Sequence, residues 1–329
     1  MKVGKISERV LTRSVLRQIK GKNKDVLSGA GIGGDCAVFE HKSVYFAGSV
    51  QASVLSAPTD IRYTIIKAVN SVACGGAKPV MILLTILLPE TAEECELGQI
   101  MREAESTAQQ LKIQIAGGHT EVSAAVLKPC VTVTACGTPE DFAVLPGRAA
   151  PGQDVVISKW IGLEGTAILA LSEKDGLAER YPLSMMEEAA AFDRYLSIIP
   201  EAAIAVKSNV SAIHDVSGGG IFAALWELAE SAGVGLGIDL KKIPIKQETI
   251  EICEFFGLNP YELLSGGCLL MTAEDGPKLA QALQAEHIPA VVIGKITDDN
   301  DRVIINEDER RFLERPNTDE IIKNRKETL

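Results

Sequence analysis

Four glycine-rich segments carry a side chain able to meet a phosphate or its metal ion. They are Gly31-Ile32-Gly33-Gly34-Asp35-Cys36-Ala37-Val38 and Cys74-Gly75-Gly76-Ala77-Lys78-Pro79, then Gly117-Gly118-His119-Thr120-Glu121, then His214-Asp215-Val216-Ser217-Gly218-Gly219-Gly220. Glycine lets backbone N–H groups approach an anion with no Cβ in the way, and a carboxylate beside them can hold the accompanying cation. One such loop means little; four point to a phosphorylated ligand.

Each segment also has a plainer reading. The first could be a tight surface turn, and it is no dinucleotide fingerprint, because it precedes a strand and opens no helix. Asn70, ahead of the second, either meets a phosphate or caps a helix end. The third is expected as a loop closing an apolar strand, where His119 binds phosphate as a cation, ligates a metal or braces the loop, in that order of preference. The fourth leads into a helix, so its N–H groups and the helix dipole make an anion site, with His214 and Asp215 at its lip as an acid/base or orienting pair. Its plainer reading is a glycine cap beside a hydrogen-bonded Asp. Gly162-Leu163-Glu164-Gly165-Thr166 is similar, and Ser265-Gly266-Gly267-Cys268 reads as a turn before a strand. No serine or cysteine stands in a recognisable nucleophile setting.

The elements that must position these residues follow from apolar spacing. Helices are expected at 8–20, 61–72, from a Thr91 cap with Glu94 as its capping-box partner, and at 165–171, 185–198, 222–231, 246–256 and 275–286. Strands are expected at 44–47, 80–88, 113–116, 130–136, 155–158, up to Ile213, and at 235–239, 268–272, 290–294 and 302–306. Leu145-Pro146-Gly147-Arg148-Ala149-Ala150-Pro151-Gly152 cannot continue a helix or a central strand and marks the boundary. The expected units are residues 1–145 and 151–315, with a loosely held charged tail at 316–329.

The 329 residues suffice for two domains, and the balance of 46% apolar to 23% charged residues is that of a globular α/β chain. A net charge of −11 argues against a nucleic acid partner. The expectation is also of no leader peptide and no membrane span, since the greasiest run, Val80–Leu88, is about half a spanning length. Seven cysteines without a C-x-x-C pair suggest neither a disulfide framework nor a zinc site, which fits a reducing cytoplasm.

In order and spacing, these motifs resemble the aminoimidazole ribonucleotide (AIR) synthase, or PurM-like, superfamily. The likeness runs from Gly31 to Ile296 and rests on Gly31–Val38, Asn70–Pro79, Gly117–Val122, Lys159–Thr166, His214–Gly220 with Trp226-Glu227, and Gly257–Pro260. Within it the chain looks most like AIR-synthase-related proteins near the hydrogenase maturation factor HypE. The resemblance implies an N-terminal domain that closes a shared barrel in a homodimer, and a C-terminal α/β domain over it. It implies ATP with magnesium, used to activate an oxygen atom by phosphorylation. Carried over by position, Gly31, Gly33, Gly34, Asp35, Asn70, Gly117, Gly118, His119 and Thr120 belong to the nucleotide site, with Asp35 and Glu121 left as metal carboxylates. His214, Asp215, Gly218, Gly219 and Gly220 line the C-domain side.

The chain also departs from the pattern. Gly34-Asp35 stands where relatives have two acids, Gln51 falls in the stretch where they place an Asp after the next strand, Ser71 stands where they read Asp, and His119 stands where many have an acid. The terminal cysteine that HypE uses is replaced by Lys326-Glu327-Thr328-Leu329, so the usual intramolecular dehydration is not expected. Two readings follow: a HypE-like protein that activates an unidentified small molecule or protein with ATP, or a non-catalytic dimeric paralogue. A kinase of the thiamine-monophosphate kind is a weaker third.

Overall fold

The structure is a computed structural model that describes residues 4–139, 144–315 and 318–325. The chain divides into two compact units. One comprises Asn23–Gly29 and Asp35–Ala143; the other comprises Met1–Lys22, Ala30–Gly34 and Val144–Leu329.

The first unit holds six strands: β1 (Val26–Ser28), β2 (Ala37–His41), β3 (Val44–Val54), β4 (Ala77–Leu88), β5 (Gln114–Val122) and β6 (Cys130–Pro139). They form one sheet in the order β1-β2-β3-β6-β4-β5, antiparallel except for the parallel β4–β5 pair. Strand alternation sends Ile82, Leu84 and Ile86 of β4 and Val131, Val133 and Ala135 of β6 into the core. The helix Ile61–Cys74 covers that face: Ser49 and Ser53 of β3 bond to Ala68 O and Thr64 Oγ1. On the opposite face Val50, Val54 and Leu83 stay exposed.

The second unit's sheet has the order β13-β12-β9-β11-β7-β10-β8. Its strands are β7 (Asp154–Ser158), β8 (Ala212–Val216), β9 (Gly235–Asp239), β10 (Cys268–Ala273), β11 (Ala290–Thr297), β12 (Arg302–Asn306) and β13 (Glu309–Phe312). The helix Gly220–Ala232 buries Ile221, Leu225, Trp226 and Leu228 in this core.

Several expectations change. Gly117–Glu121 is no loop but the second half of β5, paired with Leu83–Leu87 of β4. Both its glycines take φ near +155°, and a Cβ on Gly118 would lie 1.8 Å from the Leu84 carbonyl oxygen. His214 and Asp215 lie inside β8, not at the lip of a loop. Thr91 caps nothing, because Pro89–Ala92 closes a turn and the next helix, Glu94–Leu111, begins after Glu93. The single helix expected at 185–198 is a helix at Leu183–Ala190 with a 3-10 extension, and Pro200 opens a further one at Ile199–Lys207. Of the tail, Thr318–Arg325 is described and is not loose: Glu320 and Ile321 are buried.

Gly118→Ala is expected to cost about 2–3 kcal/mol through backbone overpacking, read from urea unfolding. Gly117→Ala, whose Cβ meets only Leu83 Cδ2 at 3.7 Å, should cost less.

Candidate functional site

The first glycine segment straddles the division between the units. In the first unit, Asp35 and Cys36 lead into β2, and the Cys36 sulfur rests against the Gly75 turn. Burial and the Asp35 carboxylate push the Cys36 thiol up to about 12, so it is a protonated packing group and not a nucleophile. Asn70 is buried within the helix Ile61–Cys74. Beside it, Gln51 and Ser71 meet: Gln51 Nε2 donates to Ser71 Oγ at 3.4 Å, and Ser71 Oγ donates to Lys67 O at 3.0 Å. Gln51 and Ser71 thus form a neutral pair.

The third segment does not join this group within one chain. β2, which Asp35 precedes, and β5, which carries His119 and Glu121, are separated by β3, β6 and β4. At ordinary strand spacing that is on the order of 15–20 Å. His119 Nε2 and Glu121 Oε2 instead meet each other at 3.0 Å, both more than half exposed. Asp35 and Glu121 of one chain thus cannot share an ion, and no group of three metal-ligating side chains occurs among the described residues. The residues of a single chain do not fit the expected magnesium.

In the second unit, three segments gather on Glu227, in the middle of the helix Gly220–Ala232. His214 Nε2 lies 3.3 Å from Glu227 Oε2, and Lys5 Nζ lies 2.5 Å from Oε1. The Gly33 turn packs so closely that a Cβ there would lie 2.7 Å from the Glu227 carbonyl. Burial alone would push the Glu227 carboxyl up, but the His214 hydrogen bond and the Lys5 charge override it and hold it down to about 2. An ionised carboxylate can only accept, so it fixes a proton on His214 Nε2.

Gly218–Gly220 stands at the other end of that helix. Gly219 is its left-handed cap, and a Cβ on Gly220 would lie 2.5 Å from Tyr261 O. The Gly219 N–H already has an acceptor: it donates to Asp319 Oδ2 at 2.6 Å. His214 and the glycine turn are therefore neighbours in sequence but serve different places. The other two small-residue motifs bond to each other, Gly162 N to Ser265 Oγ at 2.8 Å, and Lys159 is locked to buried Glu201 at 2.5 Å. These are packing devices.

Sequence reasoning named neither Lys5, Glu227 nor Asp319 as site residues. Glu227 stood in a quoted motif, yet nothing local ties it to His214 thirteen positions earlier. Asp319 lay in a stretch read only as charged.

Comparison with known proteins identifies the family and the fold. Residues 33–138 match the AIR synthase related protein N-terminal domain, and residues 150–306 match the C-terminal domain. A putative hydrogenase expression/formation protein of Methanocaldococcus jannaschii is 27% identical over 249 residues, 74% of this chain and 72% of its own length. The carbamoyl dehydratase HypE of Rhodobacter capsulatus is 28% identical over 235 residues, 69% of this chain and 66% of its own. In fold, a crystal structure of HypE in complex with ATP aligns over 98% of both chains with a TM-score of 0.70 at 19% identity. AaThiL complexed with AMPPCP and TMP aligns over 94% of this chain and 96% of its own, with a TM-score of 0.72 at 20% identity. With both domains matched in order across the two units, the chain belongs to the AIR synthase related protein family.

Proposed function

We propose that the protein is a homodimeric, HypE-like ATP-binding protein that uses ATP to activate an oxygen atom of its substrate by phosphoryl transfer. The observation that carries this reading is the match of both family domains in order, together with the four glycine segments of this chain. The likeness in fold to an ATP complex of HypE supports it. Phosphoryl transfer asks a protein mainly for positioning and charge neutralisation, which backbone N–H groups and a few fixed side chains can supply. In this reading the N–H groups of the glycine segments hold the phosphates, and Asp35 would hold their cation. His214, whose Nε2 proton goes to Glu227, and Asp215 beside it in the strand then act as the orienting pair of the second unit.

A dimer is what can bring Asp35 to a Gly117–Glu121 strand, since one chain holds them on opposite sides of its sheet. The open sheet face with Val50, Val54 and Leu83 is the surface such a dimer would bury.

A second reading, a non-catalytic paralogue, is favoured by one specific observation: the neutral Gln51–Ser71 pair in place of metal-binding acids. A small-molecule kinase is the weaker alternative, supported by the fold likeness to AaThiL with AMPPCP and TMP.

Isothermal titration with ATP and magnesium is expected to show binding, and Asp35→Ala should weaken it about tenfold. Absence of binding with and without magnesium removes the proposal. Phosphate release that depends on magnesium and disappears in Asp35→Ala removes the non-catalytic reading. Val50→Asp with Leu83→Asp should yield monomers in sedimentation; an unchanged mass places the interface elsewhere. Glu227 has a folded pKa below its unfolded one, so the stability it contributes is present above about pH 4.5 and fades as pH falls towards 2. Glu227→Gln should flatten that part of the acid-unfolding profile; an unaltered profile contradicts the assignment.

A further inference from the structure

The stretch Arg9–Lys22 carries five basic residues and no acidic one, in a chain whose net charge is −11. They are Arg9, Arg13, Arg17, Lys20 and Lys22, and all five are exposed. None forms an ion pair with a described residue, although Lys5, just before them, is paired with Glu227. Arg9, Arg13 and Arg17 recur every fourth position, so helical winding sets like charges one turn apart, which destabilises a helix. Leu11, Val15 and Ile19 keep the same spacing on another face, and Val15 is 40% exposed and Ile19 55%.

The winding runs through α-helical Glu8–Val10, π-helical Leu11–Val15 and 3-10 Leu16–Gln18, and no residue of it is buried. Its turns pack chiefly on one another. So short a helix with no buried face is not held in water by propensity. The segment thus has the cations and aliphatic side chains of an interface, with no described acid opposite the cations. A phosphate backbone would use the cations but not the aliphatic stripe, and no aromatic ring lies between Gly4 and Lys22 for a base to stack on. The same lack of aromatic side chains leaves a protein groove without its usual anchors. An anionic lipid surface takes both features: headgroups meet the arginines at any spacing, and the aliphatic side chains enter the acyl boundary. Charge acts over about 8 Å at physiological salt, so the segment's own cations outweigh the net charge of the chain there. We infer that Arg9–Lys22 is a docking segment for an anionic membrane surface, on which it lies without spanning.

Cosedimentation of the full chain with lipid vesicles tests this. Binding is expected to vesicles of phosphatidylserine with phosphatidylcholine, not to phosphatidylcholine alone, and should fall as salt rises. Arg13→Gln with Arg17→Gln should weaken it about thirtyfold through two lost surface charges. Val15→Ser with Ile19→Ser should weaken it as well. In the unmodified chain, the amides of Leu11–Ile19 should exchange more slowly on the charged vesicles, a readout that needs no variant. Failure to bind charged vesicles, equal binding to both kinds, or binding that neither pair of substitutions changes overturns the proposal. Retention by single-stranded RNA in place of vesicles also overturns it, making the segment a nucleic acid arm.

Discussion

Strand order in the first sheet governs what one chain can build. Two of the four glycine segments, one entering β2 and one lying in β5, are held apart by three intervening strands. Each of those strands is hydrogen-bonded to its neighbours, so no side-chain rearrangement can bring Asp35 to His119 or Glu121. Any function that needs both must recruit a second chain, and the apolar residues left on the open sheet face are consistent with one being recruited.

Electrostatics in the second unit follow a different logic. Glu227 stays charged despite burial because His214 and Lys5 converge on it, and the Gly33 turn packs over its backbone. The segment Ala30–Gly34 therefore groups with this unit, while Asp35, the next residue, groups with the other. In the first unit the partly buried polar contact beside Asn70 is neutral, between the Gln51 amide and the Ser71 hydroxyl.

Much of the fold was legible because its signals are local. The apolar runs at 80–88, 222–231 and 268–272 have the periods of the strands and helix found there. Gly117-Gly118 misled because glycine pairs usually break strands; here the close approach of Leu84 demands glycine within one. His214 and Asp215 were misplaced because the strand runs three residues further than expected, to Val216: a buried edge strand continues its apolar pattern through polar residues once partners exist elsewhere. Those partners are the illegible part: Glu227 and Asp319 act across the fold, thirteen and one hundred positions from the residues they hold.

The central claim is that the nucleotide site is completed between two copies of the chain. Mixing Asp35→Ala with His119→Ala chains under conditions that permit subunit exchange, then titrating with ATP, tests it most directly. The account predicts that the mixture regains a class of tight sites that neither variant has alone, because each hybrid dimer carries one intact combination. If hybrids form and no tight sites return, the two residues serve the same chain or no common site, and the claim is wrong.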